Sequence, residues 1–157
     1  MTAEYFNDLK ADFLNTYAPI LCDESLEDIQ NATDVAAFIA VLHKYLHFLD
    51  FKAVPTLEWI RKWFGNYQHI ANENGVYFDQ ILALSNPQAN SIVLYGKCYI
   101  NAIMISPKMT FFTLHDESQL SLVTYGTAHV TARLKSEACQ VNKLHCSAYS
   151  RIKIRRV

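Results

Sequence analysis

KCYINAIMIS PKMTFFTLHD ESQLSLVTYG TAHVTARLKS EACQVNKLHC SAYSRIKIRR, residues 97–156, divides into six rows of ten, and a weaker row, PQANSIVLYG, stands before it at 87–96. The eighth place of the seven rows holds Leu94, Met104, Leu114, Thr124, Leu134, Leu144 and Ile154. The second place turns small at Cys98, Ser118, Ala128, Ala138 and Ala148. The tenth is small or turn-forming at Gly96, Ser106, Asp116, Gly126, Ser136 and Cys146. Such self-similarity marks a repeat architecture. Strand side chains alternate faces, so the even places share one face, which also carries Ile92, Ile100, Phe112, Leu120, Leu122, Val130 and Ile152.

Ten is even, so each face survives from row to row. Two-residue hairpin loops would flip it at every turn. Three-residue loops would keep it but usually need a left-handed residue, most often Gly, and from Pro87 onward only Gly96 and Gly126 are present. Stacked coils keep the faces without that demand. One row is too short to enclose side chains, so two rows per coil are expected. The fold class predicted is α+β: an N-terminal helical cap over residues 1–73, followed over 74–157 by a short right-handed parallel β-solenoid of about three coils. An antiparallel meander or sandwich is the alternative.

The chain has 157 residues, of which 51% are apolar, the composition of an ordinary globular protein. No apolar run reaches the length of a membrane span. The opening MTAEYFNDLK is acidic and polar, unlike a secretory signal. Cys22, Cys98, Cys139 and Cys146 show no CxxC spacing, so free thiols and a cytoplasmic location are expected. The net charge of −1 hides a division: residues 1–86 hold 5 Lys or Arg against 12 Asp or Glu, and residues 87–157 hold 9 against 3.

Before the rows the period is helical. Thr2 is placed to cap a helix carrying Phe6, Leu9, Phe13, Leu14 and Tyr17 on one stripe, ended by Pro19. Ser25 is read as opening a short helix. Thr33, with Asp34 in the first turn, is read as opening a buried helix through Val35, Phe38, Ile39, Val41, Leu42, Leu46 and Leu49. Thr56 caps LEWIRKWF, with Trp59, Ile60, Trp63 and Phe64 on one side. From Gly75 the period becomes two, through Val76, Phe78, Ile81, Leu82 and Leu84, which read as strands leading into the rows.

Catalytic signals are weak. His43 and His47 share a helix face, but Lys44 stands where a zinc protease has Glu, so no metal site is expected. His115 and His145 sit at outward ninth places without the hexapeptide spacing of solenoid acyltransferases. Cys146, Ser147 and Ser150 show no positioned base, and no phosphate loop or nucleophile elbow is present. No enzyme and no cofactor is expected. The outward seventh and ninth places begin apolar, at Val93, Tyr95, Ile103 and Ile105, and end basic, at Arg133, Lys135, Lys143, His145, Lys153 and Arg155. The apolar set is expected to be covered, by the helices or by a second subunit. The basic set can meet nucleic acid, meet an acidic protein surface, or keep a terminal strand solvated.

TLEWIRKWFG at 56–65 together with rows such as TAHVTARL at 127–134 resembles the layout of small proteins from bacterial phages and mobile elements, over about residues 56–156. The rows holding Gln140, Asn142 and Ser150 depart from it by placing polar residues where apolar ones are expected. The resemblance implies no catalytic residues. The function expected is a non-enzymatic structural or protein-interaction module, self-associating through the solenoid. The alternative is a nucleic-acid-associated or anti-defence phage factor using the basic residues. A protein partner, in particular a second copy, is favoured over nucleic acid, and no membrane partner is expected.

Overall fold

Alternation in the rows becomes strand geometry, and helical spacing before them becomes helix. The computed structural model describes residues 1–45 and 54–157. A helical part is followed in sequence by a parallel β-solenoid of about four turns. The chain divides into two units, Met1–Ile70 and Ala71–Val157.

In the first unit α1 (Ala3–Tyr17) is capped by the Thr2 hydroxyl, which accepts from Tyr5 N at 3.2 Å. Helix α2 (Asp23–Asn31) starts before Ser25, which is buried in its first turn and donates its hydroxyl to Cys22 O at 2.9 Å. Helix α3 (Val35–Lys44) is capped by Asp34 rather than Thr33. The carboxylate, the stronger acceptor, takes Ala37 N at 2.8 Å. The expected continuation of α3 through Leu46, His47 and Leu49 lies outside the described residues. Helix α4 (Leu57–Phe64) is capped by Thr56, and α5 (Gln68–Glu73) precedes the strands.

The core of this unit is aromatic. The Phe13 ring lies 4.8 Å from Tyr17, 5.1 Å from Phe38 and 5.2 Å from Trp59, centroid to centroid. Asp12, which the sequence reading passed over, ties α1 to α4. It accepts from Trp59 Nε1 at 2.9 Å, Trp63 Nε1 at 2.7 Å and Lys62 Nζ at 2.9 Å. Burial pushes its carboxyl up, but these hydrogen bonds outweigh burial and hold it below the ordinary carboxylate value.

The second unit has two parallel sheets. Sheet A is β1 (Val76–Phe78), β3 (Ser91–Tyr95), β5 (Met109–Leu114), β7 (His129–Leu134) and β9 (Arg151–Arg156), in that order. Sheet B is β2 (Ile81–Ser85), β4 (Tyr99–Met104), β6 (Gln119–Thr124) and β8 (Gln140–Cys146). Each coil contributes one strand to each sheet, so a coil takes two rows. Met109 lies opposite His129 and Tyr99 opposite Gln119. The first coil is shorter, with Val76 opposite Val93 and Ile81 opposite Tyr99. It therefore lacks the ten-residue spacing, and the expectation of about three coils missed it. Even-numbered Ile92, Leu94, Ile100, Met104, Phe112, Leu114, Leu120, Leu122, Val130 and Leu134 fill the interior.

The corners are stitched from coil to coil. Asp116 accepts Gly96 N at 2.7 Å, and Asn86 accepts Ile105 N at 2.7 Å. Ser118 donates to Gly96 O at 3.1 Å and Ser147 to Gly126 O at 2.9 Å. Three tenth-place residues, Gly96, Asp116 and Gly126, hold left-handed backbone. At Gly126 (φ +57°) an added Cβ would meet only Ile105 O, at 3.7 Å, so there is room. Gly126→Ala is therefore expected to cost about 1 kcal/mol from backbone strain alone. Gly126→Asp, matching Asp116, is expected to cost less. Urea denaturation of the two variants measures both.

The rows lengthen near the C-terminus. The buried small residue just before β4, β6 and β7 is Cys98, Ser118 and Ala128, and before β8 and β9 it is Cys139 and Ser150, not the expected Ala138 and Ala148, which are exposed. The corner before β8 has one extra residue, so Val141, not Asn142, lies opposite the inward Leu120. Within β8 the register shifts again, with Leu122 opposite Lys143 and Val123 opposite His145. Leu144 is the bulged residue and is 66% exposed, which corrects the expectation that it points inward.

Candidate functional site

The outward residues of sheet A run in register columns. One is Val76, Val93, Thr113, Arg133 and Arg155; another is Ser91, Phe111, Thr131 and Lys153. The wall changes character along the stack. Val93 and Tyr95 are buried at 2% and 4%, and Tyr95 stacks on the buried His115 with centroids 4.6 Å apart. Four of the six basic candidates, Arg133, Lys135, Lys153 and Arg155, follow the strands of this sheet. Arg151, opposite His129, joins them. Sequence reasoning missed Arg151 because it sits at the fifth place of its row, although its odd parity already marked it as outward. Lys143 and His145 are apart from these, on β8 of sheet B: His145 stands opposite the outward Val123, but Lys143 stands opposite the inward Leu122, which corrects the expectation that it faces outward.

The outward residues of sheet B form a different surface. Ile81, Tyr99, Gln119 and Gln140 make one column; Ala83, Asn101, Ser121 and Asn142 the next; Ser85, Ile103, Val123 and His145 the third. No Asp, Glu, Lys or Arg stands in these columns. Ile103 and Ile105 are exposed at 41% and 51%, in contrast to Val93 and Tyr95 on sheet A. Val123 is half-buried, Tyr125 is exposed, and Tyr125 contacts the His145 ring at 5.0 Å between centroids. The four apolar interface candidates thus separate, two buried on one wall and two exposed on the other.

The last corner gathers hydroxyls and a thiol. Ser150 Oγ lies 2.8 Å from Thr124 Oγ1, 3.1 Å from Ser147 Oγ and 3.3 Å from Cys146 Sγ, and donates to Ser147 O at 3.0 Å. The Ser150 hydroxyl, then Thr124, lower the pKa of the exposed Cys146 thiol. The hydrogen bonds of this cluster join hydroxyls, the thiol and backbone carbonyls. Its bonds close the corner of the final coil. Burial pushes the Cys98 thiol up to about 11, which leaves it an inert core residue. All four cysteines are free.

Among the described residues no three or more His, Cys, Asp or Glu gather to hold a metal ion. His43 lies in α3, and its proposed companion His47 falls outside the described residues. Among the described residues no helix is long and apolar enough to cross a membrane. Comparison of the chain with protein-family models, with curated proteins and with solved structures yields no match in any of the three.

Proposed function

We infer that the chain is a non-enzymatic structural or protein-interaction module, of the phage or mobile-element kind whose layout it resembles, and that it self-associates through the outer wall of sheet B. The observation that carries this reading is the wall itself, free of Asp, Glu, Lys and Arg, with Ile103, Ile105 and Tyr125 exposed beside Val123. Apolar side chains grouped on one flat face favour leaving water together. A face whose columns carry no Asp, Glu, Lys or Arg can meet its own copy with little like-charge repulsion, and its amide columns can exchange hydrogen bonds across a two-fold axis. The basic residues of sheet A support a second reading, a factor that binds nucleic acid. Affinity gained by counterion release alone falls steeply with salt.

Sedimentation equilibrium of the wild type and of Ile103→Glu tests the first reading. The wild type is expected to form a dimer or larger assembly at micromolar concentration. Burying a carboxylate in that interface is expected to weaken association about tenfold or more. A wild type that stays monomeric to on the order of 100 µM would falsify the reading. Nucleic acid co-purifying at near-physiological salt, read from the absorbance ratio of the same samples, would favour the second.

A further inference from the structure

The last strand of sheet A has an open side. Strand β9 pairs with β7, and Arg151 and Val157 donate their backbone N–H groups to Ala128 O and Leu134 O at 2.9 and 3.0 Å. Successive residues of a strand turn their N–H and C=O groups to opposite sides. The backbone groups of Ile152, Ile154 and Arg156 therefore face away from β7, where no described strand pairs. Such a row of free donors and acceptors is a template for another strand.

Side chains flank this row in two sets. Arg151, Lys153 and Arg155 take the outward register of His129, Thr131 and Arg133. Ile152 and Ile154 take the inward register of Val130 and Ala132, but they lie in the final coil. Ile152 is half-buried and Ile154 is 36% exposed. Arg156 is already engaged, its guanidinium donating to Ser136 O and Glu137 O at 3.3 Å and to Cys139 O at 3.5 Å.

We propose that this edge binds an extended peptide of alternating acidic and apolar residues, added as a further strand along β9. One set of its side chains would lie beside Arg151, Lys153 and Arg155, where opposite charges across a ladder attract. The other would continue the interior over Ile152 and Ile154. A second copy of β9 is a poor occupant, because it brings like charges together. Acidic residues of a second copy are poor occupants too: Asp23, Glu24, Glu27 and Asp28 lie in α2, and a helix does not offer a free strand edge. A nucleic acid would meet the cations but leave the isoleucines and the backbone row unmatched. This surface is separate from the wall of sheet B, and the proposal does not depend on self-association.

Fluorescence anisotropy on the full chain tests it. The probes are a labelled peptide of four Glu-Val pairs, two versions N-methylated on either alternate set of amides, and an oligothymidylate of eight nucleotides. The parent peptide is expected to bind at micromolar concentration. One methylated version should lose at least about tenfold while the other binds like the parent, since only one set of amides faces β9. Ile154→Pro removes an N–H that faces the open side and leaves the ladder to β7 intact, a placement proline tolerates on an edge strand. It should also weaken binding at least about tenfold, as should the pair Lys153→Glu and Arg155→Glu. Failure of the wild type to bind the parent peptide overturns the proposal. Unchanged binding by both methylated peptides overturns it as well, whatever the variants do. Oligothymidylate that binds more tightly than the peptide and ignores Ile154→Pro overturns it in favour of a nucleic acid.

Discussion

Phe13→Ala is expected to destabilise the helical unit by about 3–5 kcal/mol, the range for deleting a buried phenyl ring. The Phe13 ring is fully buried and contacts Tyr17, Phe38 and Trp59, so it joins α1, α3 and α4 at one point. Its removal leaves a cavity that rigid neighbouring rings fill poorly, and it withdraws edge-to-face contacts beyond the lost area. Both tryptophans of the chain, Trp59 and Trp63, lie in this unit. Denaturation followed by tryptophan fluorescence therefore reports on it directly. A loss of under about 1 kcal/mol would mean that the aromatic cluster is not packed as described.

Leu134→Ala and Leu144→Ala should differ sharply, although both leucines hold the eighth place of their rows. Leu134 is 4% exposed in the solenoid interior, and truncating it should cost about 2–5 kcal/mol. Leu144 is the bulged residue, and truncating it should change stability by no more than about 0.5 kcal/mol. Chemical denaturation followed by the strand signal in circular dichroism compares the two. Equal costs would place Leu144 back in the core and remove the bulge.

That pair shows what a repeat pattern conveys. From Ile92 to Leu134 the alternation was legible because burial of one strand face is a strong, local demand, and every even apolar residue named from that stretch lies inside. Caps at Thr2 and Thr56 were legible for the same reason, since they satisfy donors three residues away. An inserted residue cannot be seen in this way. At Ser136–Cys139 an alanine and a cysteine stand side by side, both small enough for the corner, and only the coil beneath selects Cys139, whose thiol donates to Leu114 O at 3.2 Å. The walls posed a related problem. Val93, Tyr95, Ile103 and Ile105 look alike in sequence, yet successive rows belong to different sheets and meet different surroundings. Asp12 was missed because its three donors lie far along the chain, where periodicity carries no information.

The extra residue before β8 and the bulge at Leu144 act as a pair. The first turns odd-numbered Val141 inward; the second returns even-numbered Ile152 to the interior in β9. They behave like two compensating frameshifts in a message read two letters at a time. Deleting Leu144 alone would leave the reading frame shifted and carry Arg151 and Lys153 toward the interior. Deleting one residue of the corner as well would restore the frame and a strict decapeptide. Length changes in this array should therefore be tolerated in even sums, and a single insertion should persist only where a second lies close enough downstream to correct it before the next coil is read.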